Sequence, residues 1–135
     1  MRTTQRLFHG TETARVDSLR KTGFHFESGA HLSFGDGVYF YIDPAKAERF
    51  ARERFRDNGS VVVVDIPILP EHLKKMTFYE LENWPGALNE RAAKEDWHVI
   101  DASCDDGIFV VRPIAVKDIV IIDVWPVSEG NDDNG

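Results

Sequence analysis

The chain has 135 residues, enough for one domain with its own core and too few for two comfortable ones. Its net charge of −7 excludes a broad electrostatic grip on nucleic acid, which needs clustered Lys and Arg to displace phosphate counterions. The lone cysteine, Cys104, excludes an internal disulfide, and no apolar run approaches the ~20 residues that span a membrane, so a reducing, cytoplasmic setting is expected.

The opening MRTTQRLFHG lacks the apolar core of a signal peptide and reads as folded protein. A short strand is expected from Gln5 to His9, closed by Gly10. TETARVDSLRKTG reads as a helix, capped by Thr11 or Thr13, with Val16 and Leu19 on its apolar face and Gly23 at its end. GVYFYI is a buried strand rich in aromatic and β-branched residues. DPAKAERFARERF is the clearest helix. Asp43 can cap it, Pro44 suits its first turn, and Ala47, Phe50, Ala51 and Phe55 share a face.

After the DNGS turn, the apolar run VVVVDIPI predicts a central strand. EHLKKM is at best a short helix, TFYEL reads as extended, and Trp84 to Asp96 gives a weak pattern of helix or ordered loop. Gly107 to Val111 and Asp118 to Val127 predict two more strands. The short RPIAVKD between them favours antiparallel neighbours. Helices lie early and strands late, which makes an α+β domain over residues 1–127 with an acidic, disordered tail over 128–135.

His9 suits catalysis or oriented binding, yet alone it is an ordinary strand-end histidine. Gly35-Asp36-Gly37 is satisfied by a tight turn feeding a strand, while Tyr39 offers a flat aromatic face with a polar tip. Asp101, Asp105 and Asp106 could act as base or orient a hydroxyl, although Asp and Gly are also plain turn formers. The five histidines, His9, His25, His31, His72 and His98, show no HxxxH spacing and no CxxC accompanies them, so no metal site is expected. Neither GxSxG nor a P-loop occurs.

In order and spacing, these segments resemble the ADP-ribosyltransferase superfamily, in its poly(ADP-ribose)-polymerase-like, diphtheria-toxin-like branch. LFHGTETARVDSLRKTGF is similar to that family's first strand, its HG[ST] signature and the helix after it. FGDGVYFYIDPAKAERFA is similar to its GxGxYF strand and following helix, and DGIFVVRPIAVKDIVIIDV to its late strands. The resemblance implies a split β-sheet of two packed, mostly antiparallel half-sheets. It implies NAD as co-substrate, with His9 on a ribose hydroxyl, the Gly10 backbone on the nicotinamide carboxamide, Thr11 adding a hydroxyl contact, and Tyr39 and Phe50 stacking on the nicotinamide ring.

The family's catalytic glutamate falls on Gly107 here, with Asp106 one residue earlier and Asp105 two, and its helix serine falls on Ala47. The implied activity is mono-ADP-ribosyl transfer from NAD to a protein, nucleic-acid or small-molecule acceptor with release of nicotinamide, in a compact toxin or effector. Its catalytic residues would be His9, Tyr39 and Asp106 or Asp105. The rivals are an inactive NAD- or ADP-ribose-binding decoy, for which the absent glutamate speaks, and an RNA 2′-phosphotransferase-like enzyme, which shares an HGT after a strand. No metal and no membrane partner is implied.

Overall fold

The computed structural model describes residues 3–25, 36–77, 79–80 and 88–127, with the backbone alone at 105 and 106. The acidic tail lies outside them. The fold is α+β, with one mixed, mostly antiparallel sheet. Strand β1 covers Thr3–Glu12, β2 Val38–Tyr41, β3 Gly59–Ile68, β4 Leu73–Lys75, β5 Val99–Ala102, β6 Ile108–Val111 and β7 Val120–Val127. Helix α1 covers Val16–Thr22, α2 Pro44–Phe55, α3 Leu88–Lys94, and the single turn α4 Ser103–Asp106. Among the described residues no helix is long and apolar enough to cross a membrane.

Helix α2 forms as its sequence dictates. The Asp43 carboxylate accepts from the Ala45 N–H at 2.9 Å, Pro44 opens the first turn, and Ala47 and Ala51 are fully buried. Helix α1 starts later than expected, because Thr11 and Glu12 still belong to β1 and a 3₁₀ turn, Thr13–Arg15, intervenes. The Thr13 hydroxyl bonds the Ser60 hydroxyl at 2.7 Å across to β3 instead of capping the helix. The EHLKKM segment splits into a 3₁₀ turn, Pro70–His72, and strand β4, since pairing with β5 outweighs the weak helical pattern.

The strand order is β4-β5-β6-β2-β1-β3-β7. Strand β3 is the spine, paired with β1 from Thr3↔Ile68 to Glu12↔Gly59 and with β7 on its other side. The pair Arg6↔Asp65 carries a two-pronged ion pair, 3.0 and 3.2 Å, that marks the register. Strands β6 and β7 were expected to be neighbours. Instead β6 pairs with β2 and β5, β7 pairs with β3, and the link Pro113–Asp118 passes across the sheet with Ala115 buried beneath it. A short connection restricts reach, not choice of partner.

Two half-sheets were expected, whereas the described strands form one continuous sheet. Its continuity rests on a narrow seam, since β1 and β2 share only the register pair Phe8↔Tyr41. One face of the sheet carries a large core of Leu7, Val38, Phe40, Val62, Val64, Phe109 and Val111 under α1 and Phe24. The other face divides in two. Ala47, Ala51 and Val61 pack with Phe8 and Tyr41 on one side of the seam, and Met76, Leu88, Ile100 and Val110 pack with Tyr39 and Ile108 on the other.

Gly10 lies where α2 presses on β1. A Cβ there would stand 2.8 Å from the Ala47 carbonyl oxygen and 2.9 Å from Phe50 Cδ2. Gly10→Ala is therefore expected to destabilise the domain by about 1–3 kcal/mol through overpacking, read as a lower midpoint in urea at an unchanged slope. A neutral result would show that α2 can shift away from β1.

Candidate functional site

The seam opens into a cleft of about 370 Å³, whose lining includes His9, Gly10, Tyr39, Tyr41, Phe50 and Ile108. Both strands contribute to both faces of the sheet. Leu7 and Phe40 anchor the first core, while Phe8 and Tyr41 point to the α2 side. Past Phe8↔Tyr41 the two strands share no further register pair. Alternate residues of β1 turn their N–H and C=O away from β3, as any antiparallel strand does, so the seam edge of β1 presents backbone polar groups toward the cleft.

His9 ties the two strands together at this point. Its Nδ1 lies 3.0 Å from the Tyr39 carbonyl oxygen. That oxygen can only accept, so Nδ1 carries the proton and donates, and in the neutral ring Nε2 is the acceptor. The ring is clamped edge-on by Phe24, centroids 5.3 Å apart at 90°, and tilted against Phe40 at 5.4 Å. Phe24 and Phe40 also pack on each other at 5.4 Å, so the imidazole sits in an aromatic socket.

Tyr39 is half-buried on the divided face, between Met76, Ile108 and Val110. Phe50 lines the cleft from α2, but the ring in direct contact with it is Tyr41, at 6.3 Å between centroids and 52° between planes. Tyr41 was not singled out from the sequence. The signal was present, since period-two alternation puts it on the same face as Tyr39. Thr11 is buried at the mouth of the cleft, and Arg15, from the 3₁₀ turn after β1, adds a cation to the lining. Gly37 serves the packing of strands: a Cβ on it would stand 2.6 Å from the Val111 carbonyl oxygen, so glycine lets β2 lie close on β6.

The acidic positions separate. Asp101, on β5, accepts from the Ser103 N–H at 2.9 Å and the Ser103 hydroxyl at 2.6 Å, so it holds the start of α4. Asp105 and Asp106 are backbone members of α4, and their side chains lie outside the described residues. Gly107 ends α4 in the left-handed region, φ 70°, and accepts from the Ile42 N–H at 2.8 Å. A Cβ on Gly107 would lie 3.3 Å from Lys46 Nζ, so an amine borders this position.

No protein-family model and no curated protein sequence matches this chain.

The ring of His9 and its hydrogen bond make separable contributions. His9→Phe should keep the aromatic socket filled and lose the bond to Tyr39, costing about 0.5–1.5 kcal/mol, or somewhat more because the carbonyl loses its partner. His9→Ala should cost more again, because it also empties the socket. Chemical denaturation of both variants separates the two effects, and equal losses would refute the clamp.

Proposed function

We propose that this cleft binds NAD and that the domain transfers a single ADP-ribose from it, releasing nicotinamide, as an ADP-ribosyltransferase-like fold. The observation that carries the reading is the seam, where His9 and Tyr39 meet across two parting strands beside an aromatic-walled cleft. A nicotinamide is a flat ring with an amide. It needs an aromatic wall, supplied by Tyr39, Tyr41 and Phe50, and a backbone edge to pair with the amide, supplied by β1 at Gly10. The His9 tautomer presents Nε2 to accept from a ribose hydroxyl. Arg15 in the lining favours a pyrophosphate.

Breaking the nicotinamide–ribose bond develops oxocarbenium-like positive charge, which a carboxylate stabilises. Asp105 and Asp106 in α4 are the acids of this proposal. A second reading has one specific observation behind it: Gly107, bordered by Lys46 Nζ, occupies the position where the family's glutamate would stand. The lack of a carboxylate side chain at Gly107 favours a module that holds NAD without cleaving it.

The test is to incubate the protein with labelled NAD and follow three quantities: binding, nicotinamide release, and label on protein, nucleic acid or small molecules. Transfer that is lost in Asp105→Asn or Asp106→Asn, with binding retained, establishes the first reading. Binding with NAD left intact selects the second. An absence of binding sinks both. Tyr39→Ala is expected to weaken NAD binding about tenfold, the equivalent of about 1.4 kcal/mol of stacking. Unchanged affinity in that variant would remove the stacking wall from the proposal.

A further inference from the structure

Away from the cleft, on the β4 side of the sheet, two histidines far apart in sequence lie face to face. Strands β4 and β5 are parallel with Leu73 opposite Val99, so the residues just before each strand, His72 and His98, fall side by side. The His98 N–H donates to the His72 carbonyl at 2.8 Å, and the two rings stack at 3.9 Å with 2° between their planes. Asp96 closes the group from the turn after α3. Its φ of 60° is left-handed, a region that aspartate tolerates better than most residues. The Asp96 carboxylate reaches both rings, with Oδ2 3.3 Å from His72 Nδ1 and Oδ1 3.2 Å from His98 Nε2. His72 Nδ1 also donates to the Asp96 backbone carbonyl at 2.9 Å, a bond that a metal at this nitrogen would replace.

These donor atoms all lie within 4.8 Å of one another. A tetrahedral ion with bonds of about 2.0–2.1 Å holds its ligand atoms about 3.3 Å apart. Each ring nitrogen already keeps that spacing from one carboxylate oxygen, Oδ2 for His72 and Oδ1 for His98, so a turn of the carboxylate would bring a single oxygen to both. We propose that His72, Asp96 and His98 form a binding site for a late first-row divalent metal ion of the zinc type, with water in the fourth position. Coordination turns each ring's lone pair inward by moving its proton to the other ring nitrogen. It also opens the rings from parallel by rotation about χ2, a broad torsion in histidine. A cleft of about 190 Å³ beside the rings, lined in part by Leu69, His72, His98 and Asp118, admits the water.

The donor set selects the metal. Imidazole favours zinc, nickel, cobalt and copper over magnesium or calcium, which require a cage of oxygens. Arg112 sharpens this choice. Its backbone N–H donates to the His98 carbonyl, its guanidinium donates to the Trp97 carbonyl, and its charge faces both Asp36 and Asp96. A guanidinium charge there works against any bound cation, so the imidazole donors and not net charge would select the metal. A bound ion would tie a turn, the end of α3 and the start of β5 into one cross-link.

The metal-free full chain, in a Cys104→Ser background that removes an exposed competing thiol, is titrated with Zn²⁺ by calorimetry and with Co²⁺ by visible absorption. One equivalent of Zn²⁺, a tetrahedral Co²⁺ spectrum and no response to Mg²⁺ are expected. Asp96→Asn keeps a residue suited to the left-handed turn and should weaken Zn²⁺ about tenfold or more, with His98→Ala weakening it at least as much. Zinc should raise the melting temperature of the parent and not of the His72→Ala/His98→Ala double variant. The absence of a saturable equivalent, or equal zinc affinity in that double variant, would overturn the site.

Discussion

The architecture turns on how weakly β1 and β2 are joined. A sheet normally spreads its pairing along the strands, but here the middle of a seven-stranded sheet hangs on Phe8↔Tyr41 and on one imidazole that reaches the Tyr39 carbonyl. The strands on either side are fully laddered, β1 to β3 and β2 to β6, so the opening stays confined to one place. Everything in the cleft follows from that imbalance. The aromatic walls come from residues on either side of the seam, and β1 runs on past Phe8 with no further register partner in β2. His9 is a structural tie across the gap and, in the proposed reading, also the polar group that meets the ligand.

Electrostatics divides the cleft's chemistry from its shape. The aromatic and backbone features are those on which the proposed binding of a flat amide-bearing ring relies, whether or not cleavage follows. The proposed cleavage would call for negative charge near Gly107, a position bordered by Lys46 and Ile42. The conformation of Gly107 adds a second constraint. It is the left-handed end of α4, not a residue of β6, so a larger side chain there would carry backbone strain as well as a different charge. In the proposed reading the acid is supplied by α4.

Much of this was legible in the chain, and the reasons for the rest are physical. Helix α2 announced itself through Asp43, Pro44 and the Ala47/Ala51 face, and β3 through an unbroken apolar run that only a strand covered on both faces can bury. The start of β1 was hidden. Thr3 and Thr4 are exposed, and their strand conformation is imposed by β3 and not by their own pattern. The short strands β4 and β5 owe their existence to each other and to β6, which no local window contains. His9 and Tyr39 could be paired from order and spacing. The meeting of His72 with His98 depends on a parallel register between distant strands, so linear spacing gave no sign of it.

The passage of Pro113–Asp118 across the sheet also has a consequence for how the chain assembles. Strand β7 bypasses β6 and docks on β3, which until then keeps one long edge of Val61, Val62, Val63 and Val64 without its final neighbour. During synthesis those valines emerge more than fifty residues before residues 120–127 can close over them. An apolar, β-branched edge left open for that interval is the place where two nascent copies would stick together. The domain's vulnerability thus lies in the order of its birth: the final strand acts as an intramolecular guard for the third.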